Sequence, residues 1–270
     1  MKIYETFPIL GNISIAVVIY QLVEVWYGLR NHEIEELEKL DRSLLCQVLA
    51  LPQTTPSDAL FLETGCLNIG TIVKIRRINY LQHLLKSDKN SMLSKFFETQ
   101  LKFPVRDDWT EQVKQDLRDL KIREDFEWIR KTSKASFRKL VKKCGQEYAL
   151  AEVNKKKTTH SKLSNIEYDE LKLQQYLKCD KITVRQAHTL IKFRTRVARY
   201  GGNFKGSNGS QECLMCSKHG DNQEEIYECL FNKQNVTLAG NYGDLFKNEV
   251  NVEMINSLET LYRLRVNKLS

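Results

Sequence analysis

Apolar residues recur at helical spacing along most of this chain, and the polar positions between them show where each helix begins and stops. Ile34, Leu37, Leu44, Val48 and Leu51 follow one another at intervals of three, seven, four and three, with Asp41 in the skipped place, which lays one apolar stripe along a single helix. Asn31 suits its N-cap, Glu33, Glu35 and Glu36 suit its first turn, and Pro52 ends it. Thr55, Pro56 and Asp58 then read as cap, first-turn proline and acidic third residue of a second helix, which Gly65 stops. The same spacing predicts helices over 69–85, 91–101, 108–120, 134–153, 167–177, 183–200 and 252–266. A glycine-rich turn region spans 201–209, and no internal repeat is visible.

Composition agrees with this pattern. With 12 Gly and 4 Pro in 270 residues, 41% hydrophobic side chains and abundant Leu, Lys, Glu and Arg, the chain reads as mostly α, a helical bundle or bundles with a small cysteine-rich element near the carboxyl end. The predicted division is a helical bundle over 1–153, a basic linker over 154–165, a basic helical segment over 166–209, a cysteine knuckle over 210–232 and a last helical segment over 233–270. The apolar run 8–22 is about fifteen residues, shorter than the roughly 20 a membrane helix needs, and lacks the basic start of a signal peptide. It reads as a buried helix, and no membrane partner is expected. Seven cysteines, an odd count and mostly isolated, do not form a secreted disulfide pattern, so a nuclear or cytoplasmic location is expected.

Charge adds a function class. The formal net charge is +8, but 130–162 holds eleven Lys or Arg against Glu147 and Glu152, while 181–205 holds seven and no acid. Positive charge gathered in this way suits a surface that neutralises phosphates, and it also suits a solvated face. If 183–200 is one continuous helix, Arg185, His188, Lys192, Arg196 and Arg199 fall within roughly an 80° arc opposite the apolar residues. These cations, with Lys155, Lys156 and Lys157 and with Lys205, are the candidate nucleic-acid contacts. Arg194 falls among the apolar positions, where a guanidinium needs a carboxylate or a backbone carbonyl, and a structural ion pair is its expected role.

Cys213 and Cys216, with two residues between them, and His219, Glu225 and Cys229 close behind, offer four or five zinc ligands between 213 and 229. One structural zinc ion, with His219 or Glu225 as fourth ligand, is one reading. Three reduced thiols in a loop is the other. Motifs of covalent, phosphate-cradling or zinc-protease chemistry are missing, and no small-molecule substrate is expected. Asp107 and Asp108 sit side by side as in magnesium-binding polymerase sites, but Trp109, Val113, Leu117 and Leu120 follow at helical spacing, so one of the two aspartates is expected to cap a helix.

Several stretches resemble the open reading frames of non-LTR retrotransposons in the region that follows the reverse transcriptase palm. They are Glu24-Val25-Trp26-Tyr27-Gly28, Ile34-Glu35-Glu36-Leu37-Glu38-Lys39-Leu40-Asp41, Val48-Leu49-Ala50-Leu51-Pro52-Gln53-Thr54-Thr55-Pro56, and Leu60-Phe61-Leu62-Glu63-Thr64-Gly65. Arg76-Arg77-Ile78-Asn79-Tyr80-Leu81-Gln82-His83-Leu84-Leu85, Asp108-Trp109, Phe193-Arg194-Thr195-Arg196 and Asn203-Phe204-Lys205 continue in register. The resemblance implies a thumb, linker and zinc knuckle that bind RNA or DNA, with the palm before Met1 and the endonuclease also outside the chain, so that this piece has no catalytic residues. It implies Cys213, Cys216 and Cys229 as three knuckle ligands, while the family's histidine, four residues before the last cysteine, is Glu225 here. The alternatives are a helical interaction module, using the Ile34 to Leu51 stripe, and the product of a retroelement remnant without retained activity.

Overall fold

The computed structural model describes residues 31–103, 105, 108–157, 168–200, 212–217, 220–229, 236, 239–247 and 249–269. The apolar run 8–22, the glycine-rich region 201–209, Asp107, Lys205 and His219 lie outside the described residues, as does most of the expected linker.

Ten α-helices and two 3₁₀ turns are present among the described residues, and no strand beyond the isolated bridge Glu212–Gly220. The helices are α1 (Asn31–Val48), α2 (Ser57–Thr64), α3 (Ile69–Lys86), α4 (Met92–Lys102), α5 (Trp109–Asp119), α6 (Phe126–Lys131), α7 (Lys134–Lys157), α8 (Gln175–Lys178), α9 (Val184–Arg194) and α10 (Val252–Leu269). The 3₁₀ turns are η1 (Glu224–Tyr227) and η2 (Tyr242–Phe246). The fold is mostly α with a cysteine-rich element near its carboxyl end, as the composition and spacing indicate. None of the described helices is long and apolar enough to cross a membrane.

Two compact units divide the chain. One contains α3 to α7. Its core joins Ile78, Leu81 and Leu84 to Phe97, Trp109, Val113, Leu117, Ile129, Phe137 and Val141. Asp108 caps α5, its carboxylate accepting the Glu111 amide at 2.9 Å. The buried Gln82 amide donates to the Ile129 and Thr132 carbonyls at the end of α6, both at 3.0 Å.

The other unit is built from Arg42–Cys66 and the chain after Lys155, which differs from the serial division expected from sequence. The physical reason is a polar centre inside it. Glu63 on α2 and Arg194 at the end of α9 are fully buried and paired at 3.0 Å. The Tyr168 and Tyr176 hydroxyls donate to the two Glu63 oxygens at 2.9 and 2.7 Å, and both rings flank the guanidinium. Arg194 Nη1 donates to the Leu245 and Lys247 carbonyls. Burial, and then the adjacent carboxylate, push the Tyr176 hydroxyl well above the ordinary tyrosine range, which keeps it a donor. Gly65 closes α2 in the left-handed conformation (φ 69°), and a side chain there would meet the backbone of Lys172 and Leu173.

Four boundaries differ from the sequence reading. Thr55 does not cap α2; its hydroxyl turns back to the Pro52 carbonyl at 2.6 Å. The pattern over 167–177 yields only α8, because Gln174 is drawn to α2, its amide bonding the Glu63 carbonyl and its side chain the Leu62 carbonyl, both at 3.1 Å. Lys155, Lys156 and Lys157 belong to the end of α7, not to a linker. The expected helix 183–200 stops at Arg194.

That last stop belongs to a recurring device. Ala50, Lys121 and Arg196 have φ of 50°, 55° and 54°. In each case the next residue, Leu51, Ile122 or Val197, is buried and bonds back five positions, to the Cys46, Leu117 and Lys192 carbonyls at 2.8, 2.8 and 2.9 Å. These are Schellman closures with a non-glycine residue in the left-handed place. Since that place is strained for L side chains, Lys121→Gly is expected to raise stability by about 0.5–1 kcal/mol, and Lys121→Val to lower it. Urea denaturation of the two variants checks this; a Lys121→Gly protein less stable than the parent overturns it.

Candidate functional site

The cysteine-rich element is held on the unit that contains α9 and α10. Cys213 follows the bridge residue Glu212, a turn carries the chain to Cys216, and Ser217 (φ 57°) reverses it with its amide on the Cys213 carbonyl at 2.8 Å. The turn η1 then returns Cys229, whose amide bonds the Glu225 carbonyl at 3.0 Å. Buried Arg265 on α10 pairs with Asp221 at 2.5 Å and lies 4.0 Å from the centre of the Tyr200 ring. Its Nε donates to the Arg199 carbonyl at 2.6 Å. Buried Gln223 donates to the Phe193 carbonyl at 2.6 Å, and Arg196 pairs with Glu224. The loop is therefore fixed by charged and polar ties from α9 and α10.

This frame brings Cys229 back to the two thiols of the 213–217 turn. The sulfurs of Cys213, Cys216 and Cys229 lie within 4.8 Å of one another, and those of Cys213 and Cys229 are 3.7 Å apart. None of the three forms a disulfide, and Cys213 and Cys229 are buried. A tetrahedral centre with metal–sulfur bonds of about 2.3 Å needs sulfurs about 3.8 Å apart, so the closest pair already has that spacing. The group can hold a metal ion. Glu225, one of the two expected fourth ligands, is not brought into it; its carboxylate accepts from the Asn222 amide at 3.3 Å. The physical reason is the η1 turn, which spends the Glu225 backbone on Cys229 and leaves the side chain beside Gly220.

The candidate cations are less uniform. Lys155 pairs with Glu152 at 2.5 Å, Lys156 with Asp58 at 3.2 Å and Arg185 with Glu259 at 3.1 Å. Lys192 lies 5.5 Å from the centre of the Tyr262 ring, and Arg199 is exposed. Burial, and then the charge of Arg199, lower the Lys192 ammonium below its ordinary range. With α9 ending at Arg194 and Arg196 turned to Glu224, the residues 185, 188, 192, 196 and 199 do not share one helical rail. The side chain of Lys157 lies outside the described part of the molecule.

A second cationic surface is not apparent from the sequence pattern alone. Lys134, Arg138 and Lys142 stand at intervals of four on α7, within roughly an 80° arc, with Lys139 beside them. All four are exposed, and none has an ion-pair partner among the described residues. The signal is present in the spacing of the basic residues of 130–162, but their number hides their geometry. No model of a known protein family, no curated protein and no solved structure matches this chain.

Proposed function

We propose that the chain binds nucleic acid through the cationic face of α7, and that the three thiols hold a zinc ion which fastens the loop 212–229. The four unpartnered cations on α7 carry this reading. Like charges at i and i+4 repel one another, and the first turn of α7 holds Lys134 and no acid, where the helix dipole disfavours a cation. A helix selected for stability alone would place acids there; a polyanion on this face relieves the repulsion. The resemblance to the post-palm region of non-LTR retrotransposon reading frames points to the same class of partner, RNA or single-stranded DNA, and to a binding piece separate from the polymerase active site.

Phosphate contacts should dominate, with steep salt dependence and weak sequence preference. Changing Lys134, Arg138, Lys139 and Lys142 together to Gln should flatten the slope of log affinity against log salt by roughly three units, at about 0.7–0.9 for each phosphate no longer neutralised. A control changing exposed Lys89, Lys95, Lys102 and Lys121 to Gln should do much less. Fluorescence anisotropy with a single-stranded oligonucleotide across a salt series measures both; equal losses in the two variants overturn the assignment to α7.

A second reading has its own observation. Met92 and Phe96 on α4 and Phe103 just after it are 77%, 65% and 72% exposed, an apolar surface that would suit an interaction module. Of the stripe expected to serve that role, Leu51 is buried and Ile34, Leu37, Leu44 and Val48 are half-buried. Light scattering of the purified chain discriminates: a stable dimer without nucleic acid, dispersed by Phe96→Ser, would favour this reading.

A further inference from the structure

Two buried donors beside the thiols find no acceptor. The Tyr200 hydroxyl and Arg265 Nη1 have no hydrogen-bond partner, although Tyr200 is 4% exposed and Arg265 1%. A donor orphaned at that depth is costly and calls for an explanation. Neither group can turn out to solvent. Arg265 is fixed by Asp221 at 2.5 Å and by the Arg199 carbonyl at 2.6 Å, and the Tyr200 ring packs 4.0 Å from its guanidinium and 5.8 Å from the Phe193 ring.

Both residues line a cavity of about 10 Å³, room for about one water molecule, whose other polar neighbours are Cys213, Asn222, Glu225 and Cys229. The Tyr200 hydroxyl is near enough to the sulfurs to feel the charge of Cys213 and Cys229, but it bonds neither directly. The Glu225 carboxylate is engaged by the Asn222 amide. Protonated thiols give the two donors little to bond, because a thiol sulfur is a weak acceptor. A metal-bound cysteine is a thiolate, and three thiolates outweigh a divalent cation by one negative charge. Buried charge of that kind requires hydrogen-bond donors around it.

We propose that Tyr200 and Arg265 are positioning residues of the metal site, supplying through one water in this cavity the hydrogen bonds that the thiolates of Cys213 and Cys229 require. The water accepts from the hydroxyl and from Nη1 and donates its two hydrogens to the sulfurs. The inference rests on the reading that the three thiols hold zinc, and it stands whichever residue is the fourth ligand.

Tyr200→Phe tests it, because it removes the hydroxyl and keeps the ring beside Arg265. The metal-free and zinc-loaded proteins should respond in opposite directions. With chelator present, the variant should be as stable to urea as the parent or more so, since an orphan hydroxyl is gone. Chelator competition should show zinc held about tenfold more weakly. With cobalt(II) in place of zinc, the sulfur-to-metal charge-transfer bands should move to longer wavelength, because sulfurs relieved of hydrogen bonds give up electrons more readily. Tyr227→Phe is the control: its hydroxyl is also buried without a partner in the loop 212–229, but the residue does not line the cavity. Its zinc affinity and cobalt spectrum should match the parent's. Unchanged zinc affinity with an unshifted cobalt spectrum in Tyr200→Phe overturns the proposal and leaves the zinc reading standing. An equal loss in Tyr227→Phe, or a metal-free Tyr200→Phe protein destabilised in step with its affinity, also overturns it, since the hydroxyl is then merely structural. A parent protein that takes up neither zinc nor cobalt overturns both readings.

Discussion

Arg194→Met is expected to lower the unfolding free energy by about 3–5 kcal/mol, because it leaves the fully buried Glu63 carboxylate without its counter-charge. Methionine can occupy the space between the Tyr168 and Tyr176 rings, so the loss is chiefly electrostatic. It also abandons the Leu245 and Lys247 carbonyls that Arg194 Nη1 satisfies. A double change, Glu63→Leu with Arg194→Met, should recover a large part of the loss, since a pair removed together leaves no unpaired charge. Recovery will be incomplete, because the two tyrosine hydroxyls lose their acceptor. Urea denaturation of the three proteins decides the matter. A loss below about 1 kcal/mol for Arg194→Met would show the pair to be solvated and the buried network wrong.

The second large effect concerns the thiols. Protein purified without chelators should carry about one zinc ion per chain, and Cys213→Ser or Cys229→Ser should reduce this to near zero, because a three-thiolate set loses most of its affinity with one sulfur. The loop should loosen at the same time, detected as faster amide exchange at Gln223 and Cys229. The ties through Arg265, Asp221 and Gln223 should keep the element attached to α9 and α10, so the helical signal should change little. His219→Ala and Glu225→Ala compared in the same assay identify the fourth ligand. Metal-free parent protein would instead establish the alternative of three reduced thiols.

Local chemistry is the part of this fold most open to reading from sequence. Asp108 carries a cap signal that the structure uses, and the structure adds a capping box of Thr183 with Gln186 at the start of α9. Gly65 marks a true helix end because glycine is the residue that the left-handed conformation favours. Ala50, Lys121 and Arg196 give no such sign, so the stop at Arg194 is invisible in the sequence and 183–200 reads as one rail. The thiol cluster is legible because Cys213, Cys216 and Cys229 lie close in sequence. The partners of Lys156, Arg185 and Arg196 are not, because each acid comes from a distant segment and periodicity holds no information about it. Arg194 is an instructive middle case. Its apolar surroundings show that a buried partner is required, while the identity of Glu63, 131 positions away, needs the tertiary fold.

The interrupted construction of the unit around Glu63 has a consequence for the order of events during synthesis. Its first segment, Arg42–Cys66, leaves the ribosome well before Arg194 exists, whereas α3 to α7 form a continuous run whose contacts close locally. The continuous run can therefore acquire its core first, and the earlier segment must wait with an unneutralised glutamate until α9 arrives. Closing a loop of that length adds little more entropy cost than a shorter one, since the cost grows only with the logarithm of length. The delay is set by vectorial synthesis, and during it the apolar residues Leu60, Phe61 and Leu62 of α2, all buried in the folded unit, are a natural client surface for chaperones.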